Sequence, residues 1–281
     1  MKHRAFLPLG ALVVAMRPSH WVKNSFVVAP AVFGLKVYAP NSWGPLILAA
    51  AAFSLAASAG YLVNDVLDRK EDRTNPRTSS RPLATGQLSP GLALGAAFGV
   101  AGVALILSWW GGCLMPVLAY LVSAHAYSLY LKRVPFLDVA SITGGYLLRL
   151  WGGAQAVAVP ASPWLLLCGG SLAFLLALAK RLERPGGLYR PARLRKAVGA
   201  LAVGVTLCYA VYAVRPTTWQ TFSPAFTLTV VPLILAMKSF WHLVRQGQTD
   251  PMAGILTHRP LALALLLWVV LVMAFSYFAK H

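Results

Sequence analysis

The fold is decided by an uncharged run of 20 residues, GPLILAAAAFSLAASAGYLV, at positions 44–63. A helix of about 20 residues spans the ~30 Å hydrocarbon core of a bilayer, and in lipid such a run satisfies its backbone hydrogen bonds only as a helix. The rest of the chain has the same character, because 58% of its 281 residues are hydrophobic and only 11% are charged. The sequence therefore predicts an all-α, polytopic membrane helical bundle.

Apolar stretches on both sides of this run, punctuated by Pro and Gly, predict about nine transmembrane helices in a single domain that covers 1–281. The predicted spans lie near 24–40, 44–63, 91–108, 112–130, 136–156, 163–179, 197–214, 223–241 and 261–279. Glycines on two of these helices predict close helix packing within the bundle, and a homo-oligomer stays open. These glycines are Gly95, Gly99, Gly102, Gly144, Gly145, Gly152 and Gly153.

Basic residues are distributed asymmetrically between the two sides of the predicted bundle. Counted with the N-terminus inside, the inner side holds 21 of the 25 Lys and Arg residues. They lie at Lys238 and in the loops 1–23, 64–90, 131–135, 180–196 and 242–260. By the positive-inside rule these loops are cytoplasmic, so we expect a multi-pass protein of the bacterial inner membrane.

The net charge of +18 limits the classes of partner. Nucleic acid is excluded as a partner, because no soluble domain remains to hold it. Anionic membrane lipids and phosphorylated substrates remain as candidates. The segment 180–196, with seven basic residues and one acid, fits both: it is either a lipid-attracted loop or a cap whose Lys180 and Arg181 meet substrate phosphates.

The N-terminal segment 1–23 resembles a signal peptide, because Lys2 and Arg4 precede the apolar run Ala5–Met16. No small-residue cleavage site follows, and Arg17-Pro18 interrupts the run. We therefore expect a retained segment that lies at the membrane interface.

Four of the seven acids lie in one short segment, NDVLDRKED, at positions 64–72. On a helix, Asn64, Asp68 and Asp72 share one face, and Asp65 joins its edge. Closely spaced carboxylates repel each other unless a cation lies between them, and Mg²⁺ prefers such oxygen ligands together with substrate phosphates. The segment therefore predicts a magnesium site with Asn64, Asp65, Asp68 and Asp72 as ligands. The alternative is a solvated helix end with ion pairs to neighbouring basic residues.

Arginines follow this acidic segment at positions 73, 77 and 81, within a loop bounded by prolines. The planar guanidinium group suits phosphate oxygens. Acids that bind a metal, next to bases that bind phosphate, predict a diphosphate site. We expect the cytoplasmic loops 64–90 and 180–196 to form it.

Arg149 lies inside a predicted span, eleven residues after Asp138. An ionisable residue at this depth is costly and indicates a functional site. The alternative is an arginine that pairs with a buried acid or with backbone carbonyls.

Several motifs together resemble the UbiA prenyltransferase superfamily, most closely its decaprenyl-phosphate phosphoribosyltransferase branch. The matching stretches are RPSHWVKN (17–24), YLVNDVLD (61–68), RPLATG (81–86), Tyr127 with Lys132 and Asp138, YLLR (146–149) and Lys180-Arg181. The resemblance covers most of the chain.

This resemblance implies a Mg²⁺-dependent transferase that moves a phosphoribosyl group from 5-phosphoribosyl 1-diphosphate to a polyprenyl phosphate. It also implies a set of site residues. The expected catalytic residues are Asp68, Asp72, Lys132 and Asp138. The expected substrate-binding residues are Lys23, Asn64, Arg73, Arg81, Tyr127, Arg149, Lys180 and Arg181.

Two other functions stay open at this point. One is a UbiA-type prenyltransferase, which would move a prenyl group from prenyl diphosphate to an aromatic acceptor. The other is a transporter of phosphate or of a lipid-linked substrate, which would show inverted repeats around a site at mid-membrane. The sequence has no visible internal repeat, and its charges collect at one face.

Overall fold

The computed structural model describes residues 8–183, 190–248 and 258–280, and every regular element in these ranges is a helix. The first helices are α1 (Pro8–Met16), α2 (Ser25–Phe33), α3 (Pro40–Leu67), α4 (Arg69–Thr74), α5 (Pro82–Thr85), α6 (Pro90–Trp110) and α7 (Leu114–Leu129). They are followed by α8 (Leu137–Ala156), α9 (Pro163–Lys180), α10 (Pro191–Ala213), α11 (Pro216–Phe222), α12 (Val230–Arg245) and α13 (Arg259–Lys280). Short 3₁₀ helices cover Pro18–Asn24, Lys36–Tyr38, Leu131–Arg133, Arg181–Glu183 and Pro224–Thr229.

Many of these helices begin at a proline. Pro40, Pro90 and Pro163 occupy first helical positions, where the missing N–H has no partner to lose. The Oγ atoms of Ser89 and Ser162 cap α6 and α9 by accepting hydrogen bonds from backbone N–H groups three residues on.

The all-α membrane fold is confirmed, but the count of nine spans is not. Within the described ranges, six helices are long and apolar enough to cross a membrane. They are α3, α6, α9, α10, the continuous stretch Pro224–Arg245 and α13. Helix α7 is apolar but has only 16 residues, and α8 carries both Asp138 and Arg149.

The predicted span at 24–40 differs most from the structure. Helix α2 ends at Phe33 and is about 14 Å long at 1.5 Å per residue, which is too short to cross a bilayer. Leu35 then adopts a left-handed conformation with φ 56°, which ends the helical path before the 3₁₀ helix Lys36–Tyr38. Side-chain hydropathy does not reveal a left-handed residue of this kind.

The chain divides into two compact units, Met1–Pro30 with Asn41–Pro160, and Ala31–Pro40 with Ala161–His281. In the first unit, α3 is the central helix, because 56% of its span residues are buried, against 22–39% in the other five spans. Its Ala-rich face, including Ala49, Ala52 and Phe53, is fully buried.

Glycines allow very close packing in the first unit. A Cβ atom at Gly153 of α8 would lie 1.9 Å from the backbone oxygen of Val27, and one at Gly152 would lie 2.4 Å from the Phe53 ring. The packing predicted for the glycines of α6 is not found. A Cβ at Gly95, Gly99 or Gly102 would have no described atom within 4 Å.

The second unit is built from α9 to α13. Helix α10 packs against α9 and α12, and α12 packs against α13. Buried aromatic side chains form part of its core, with Tyr209, Phe222 and Phe226 in one cluster. Tyr38 joins this unit by donating a hydrogen bond to the Met273 carbonyl at 2.7 Å.

Candidate active site

The acidic segment lies where α3 ends and α4 begins, in the first unit. Asp68 separates the two helices, with φ −88° and ψ 1°. The helical hydrogen-bond spacing continues through this break, because the Asp68 N–H donates to the Asn64 carbonyl and the Asp72 N–H donates to the Asp68 carbonyl. Asn64 and Asp68 therefore share a face, and Asn64 Nδ2 donates to Asp68 Oδ2 at 3.0 Å.

Lys132 joins these two residues from the 3₁₀ helix Leu131–Arg133. Its Nζ forms a short ion pair with Asp68 Oδ1 and lies 3.3 Å from Asn64 Oδ1. The side chains of Lys132 and Asp68 are 16% and 20% exposed, so this group is open to solvent. A carboxylate, an amide and an ammonium group thus meet at one accessible point.

Asp65 and Asp72 form a second group with two arginines. Asp65 Oδ1 accepts hydrogen bonds from Arg17 Nη2 at 2.5 Å and from Arg81 Nη1 at 3.2 Å. Arg81 Nη1 also donates to Asp72 Oδ2 at 2.8 Å. Sequence reasoning did not assign a site role to Arg17, which lies 48 residues before Asp65. The only signal for it was its place at the start of the motif RPSHWVKN.

The loop between α4 and α6 is held by two arginines of α4. Arg69 Nε donates to the Leu83 carbonyl at 3.3 Å, and Arg73 Nε donates to the Ala84 carbonyl at 3.1 Å. These bonds fix the short helix α5, which directly follows Arg81. Arg73 therefore makes a structural contact, and its predicted contact with substrate stays a prediction.

Arg149 is only 4% exposed, and the three groups to which it donates hydrogen bonds lie outside the acidic segment. Its Nε donates to Asn24 Oδ1 at 2.8 Å, its Nη1 to the Gly145 carbonyl at 2.9 Å and its Nη2 to the Tyr120 hydroxyl at 3.0 Å. The guanidinium carbon also lies 4.5 Å from the centre of the Tyr120 ring. Within the described ranges these partners are all neutral, so the charge is compensated by dipoles and by an aromatic face.

The other predicted residues occupy defined positions. Asp138 is buried in the first turn of α8, where its Oδ1 accepts a hydrogen bond from the Val139 N–H at 2.7 Å. Tyr127 is half-buried on α7, and Lys23 lies in the 3₁₀ helix Pro18–Asn24. Lys180 ends α9, and Arg181 begins the next 3₁₀ helix, both in the second unit. Residues 184–189 of the predicted basic cap lie outside the described residues.

The carboxylates suit a hard cation in donor type but do not form a complete cage. Nowhere in residues 8–183, 190–248 or 258–280 do three Asp, Glu, His or Cys side chains come close enough to hold a metal ion. Asp65 Oδ2 is buried and accepts no hydrogen bond there. Mg²⁺ is commonly bound by one or two carboxylates with substrate phosphates and water, so the residues present fit Mg²⁺ only when a phosphate completes its coordination.

The fold and the site together define a multi-pass, α-helical integral membrane protein with a mixed acidic and basic cluster at the end of its most buried helix. More narrowly, the chain belongs to the UbiA prenyltransferase family, whose model matches residues 25–255.

Individual relatives agree over nearly their full length. The chain is 27% identical to a decaprenyl-phosphate phosphoribosyltransferase of Mycolicibacterium smegmatis, over 96% of this chain and 94% of that protein. It is 30% identical to the protein of the same description from Mycobacterium tuberculosis, over 94% and 93%. Among solved structures, a UbiA homolog from Archaeoglobus fulgidus bound to GPP and Mg²⁺ superimposes with a TM-score of 0.69, at 15% identity over 96% and 99%. This last likeness concerns the fold alone.

Proposed function

We propose that this protein is a Mg²⁺-dependent transferase that moves a phosphoribosyl group from 5-phosphoribosyl 1-diphosphate to a polyprenyl phosphate. The observation that carries the proposal is the pair of charged groups along the acidic segment: Lys132 pairs with Asp68, and Arg81 pairs with Asp65 and Asp72. The near full-length similarity to decaprenyl-phosphate phosphoribosyltransferases supports the choice of donor and acceptor.

The reaction is a substitution at the anomeric carbon of the ribose. The bond from this carbon to the diphosphate oxygen breaks, and the electron pair leaves with the diphosphate. An oxygen of the polyprenyl phosphate, which is already anionic, forms the new bond to the same carbon and needs no strong base. Arg81 and Lys132 stabilise the departing diphosphate through charge-assisted hydrogen bonds.

Mg²⁺ would neutralise further negative charge on the leaving group. Asn64, Asp68 and Asp72 are the residues proposed to hold it, with phosphate oxygens as the remaining ligands. Lys132 then has two successive roles. It pairs with Asp68 before substrate binds, and it binds phosphate oxygens afterwards. The separate 5-phosphate of the donor needs a cation of its own, for which Lys23 of the first unit is proposed. The substrate contacts that the sequence predicts for Arg149, Lys180 and Arg181 stay predictions.

The site is proposed to face the cytoplasm of a bacterial cell, because the basic loops lie on the same side as the acidic segment in the charge count. This orientation suits both substrates. The sugar diphosphate is water-soluble, whereas the polyprenyl phosphate arrives through the bilayer with its headgroup at the interface. Anionic lipids are expected to associate with the same basic surface.

A second candidate function is transfer of a prenyl group from prenyl diphosphate to an aromatic acceptor. It is favoured by one observation, which is the shared fold with the Archaeoglobus fulgidus homolog bound to GPP and Mg²⁺. Both functions need a diphosphate site, so the charged cluster is compatible with either.

Offering both donors in parallel separates the two functions. Membranes that contain the protein are incubated with Mg²⁺, polyprenyl phosphate and labelled 5-phosphoribosyl 1-diphosphate, or with labelled prenyl diphosphate and an aromatic acid. We expect label from the ribosyl donor to enter the lipid phase and none to move from the prenyl donor. Prenylation of the aromatic acid, with no transfer from the ribosyl donor, would replace the first function by the second.

A further inference from the structure

The position of Asp65 differs from that of the other acids in the cluster. Its side chain is 1% exposed, whereas the two arginines that bind it, Arg17 and Arg81, are 21% and 25% exposed. The guanidinium groups therefore lie on the solvent side of the carboxylate. A soluble ligand that approaches the cluster meets the arginines before it meets Asp65.

One oxygen atom of Asp65 fixes both arginines. Because Arg17 Nη2 and Arg81 Nη1 donate to the same Oδ1, the two guanidinium groups are held side by side. Asp72 Oδ2 holds Arg81 from a second direction. A guanidinium has five N–H donors, and the remaining donors of these two arginines make no hydrogen bond within the described part of the chain.

The backbone of Arg17 is strained in a way that supports a functional position. Its φ of 53° and ψ of 63° are left-handed values that a long side chain rarely adopts, and Pro18 follows directly. The surrounding contacts hold this conformation. The guanidinium carbon lies 4.7 Å from the centre of the Tyr61 ring, and Ser58 Oγ donates to the Met16 carbonyl at 3.0 Å.

We propose that Asp65 is a positioning residue that holds Arg17 and Arg81 as a two-arginine clamp for phosphate oxygens. This role rests on the proposed function, because the ligand of the clamp is the diphosphate of the donor. It replaces the metal-ligand role that the sequence predicts for Asp65. Metal binding stays with Asn64, Asp68 and Asp72, and Arg17 joins the substrate-binding residues.

Binding of inorganic pyrophosphate tests the clamp without turnover. The affinity of the purified full-length protein for labelled pyrophosphate is measured in EDTA and again at saturating Mg²⁺. The variants are Asp65→Asn, Arg17→Ala and Arg17→Lys, and Arg245→Ala serves as a control because Arg245 is an exposed arginine on α12. A thermal unfolding curve for each variant confirms that it is folded.

We expect Asp65→Asn and Arg17→Ala to weaken metal-free pyrophosphate binding by about 10-fold or more, as loss of charge-assisted hydrogen bonds predicts. The metal-free affinity of Arg17→Lys should lie between those of the wild type and Arg17→Ala, since lysine keeps the charge but not the planar guanidinium group. The Mg²⁺ concentration for half-maximal pyrophosphate binding should be unchanged in all three, and Arg245→Ala should match the wild type. If Asp65→Asn does not fold, the two Arg17 variants decide the question.

Two results would overturn the clamp alone. One is a wild type that binds pyrophosphate only with Mg²⁺, and the other is an Asp65→Asn variant that needs more Mg²⁺ but keeps its metal-free affinity. Either result would return Asp65 to the metal ligands and leave the proposed function intact. A wild type that binds no pyrophosphate under any condition would overturn the proposed function itself.

Discussion

The charged side chains of the acidic segment and of α8 are compensated in opposite ways. In the acidic segment, Asp65, Asp68 and Asp72 are paired with arginine or lysine side chains that remain partly exposed. On α8, Arg149 is 4% exposed and is bound by an amide, a carbonyl and a phenol. The same helix carries Gly153, which packs directly on the backbone of Val27.

This difference indicates that the acidic segment acts in the reaction and that Arg149 stabilises the fold. Ion pairs that are open to solvent can exchange partners when an anionic substrate and a metal arrive, because water and ligand compensate each charge during the exchange. A buried arginine whose neutral partners are fixed by three parts of the chain cannot leave them without exposing unsatisfied groups. We therefore expect changes in α8 to affect folding first and changes in the acidic segment to affect turnover first.

The largest effect is expected from Gly153→Ala. The added Cβ would lie 1.9 Å from the Val27 backbone oxygen, and a backbone atom cannot turn aside as a side chain can. Overpacking of a core typically costs ~1–3 kcal/mol, and this contact is far inside van der Waals distance, so we expect little folded protein in the membrane fraction. The matched control is Gly144→Ala on the same helix, where a Cβ meets no described atom within 4 Å. Equal yields of the two variants would show that α8 is not packed as described.

A smaller effect is expected from Arg149→Ala. Loss of the guanidinium leaves the buried Asn24 Oδ1 without its donor, and a buried group left unsatisfied costs about 1–3 kcal/mol. We expect a lower unfolding temperature in detergent, with an unchanged KM for the donor in the fraction that remains folded. A raised KM at unchanged stability would instead support the substrate contact that the sequence predicts for Arg149.

The sequence predicts the fold class and the contact between Asn64 and Asp68, because both depend on local patterns. Uncharged runs predict the membrane helices, and the four-residue spacing of Asn64 and Asp68 predicts the contact between their side chains that the structure has. The motif resemblance adds Lys132, which indeed contacts Asp68 across 64 residues.

The sequence could not predict features that depend on left-handed backbone conformations or on distant pairings. The left-handed Leu35 ends the span predicted at 24–40, and no property of a leucine side chain signals this. The contact of Arg17 with Asp65 depends on how the N-terminal segment returns along α3, through Met16 and Ser58. The close packing of Val27 on Gly153 likewise depends on how two segments distant in sequence come together.

The central claim is that the acidic segment carries the chemistry, and turnover by Asp68→Asn tests it most directly. The transfer of labelled ribosyl donor into lipid is compared among the wild type, Asp68→Asn and Glu71→Gln, an exposed acid of the same segment that serves as the control. Asparagine keeps the shape of the side chain but removes the charge that metal and Lys132 require.

We predict a loss of about 100-fold or more for Asp68→Asn at normal membrane levels, as for removal of one preorganised group that stabilises transition-state charge. Glu71→Gln should match the wild type, and EDTA should abolish its turnover until Mg²⁺ is restored. Turnover close to that of the wild type in Asp68→Asn, or turnover that persists in EDTA, would contradict the account.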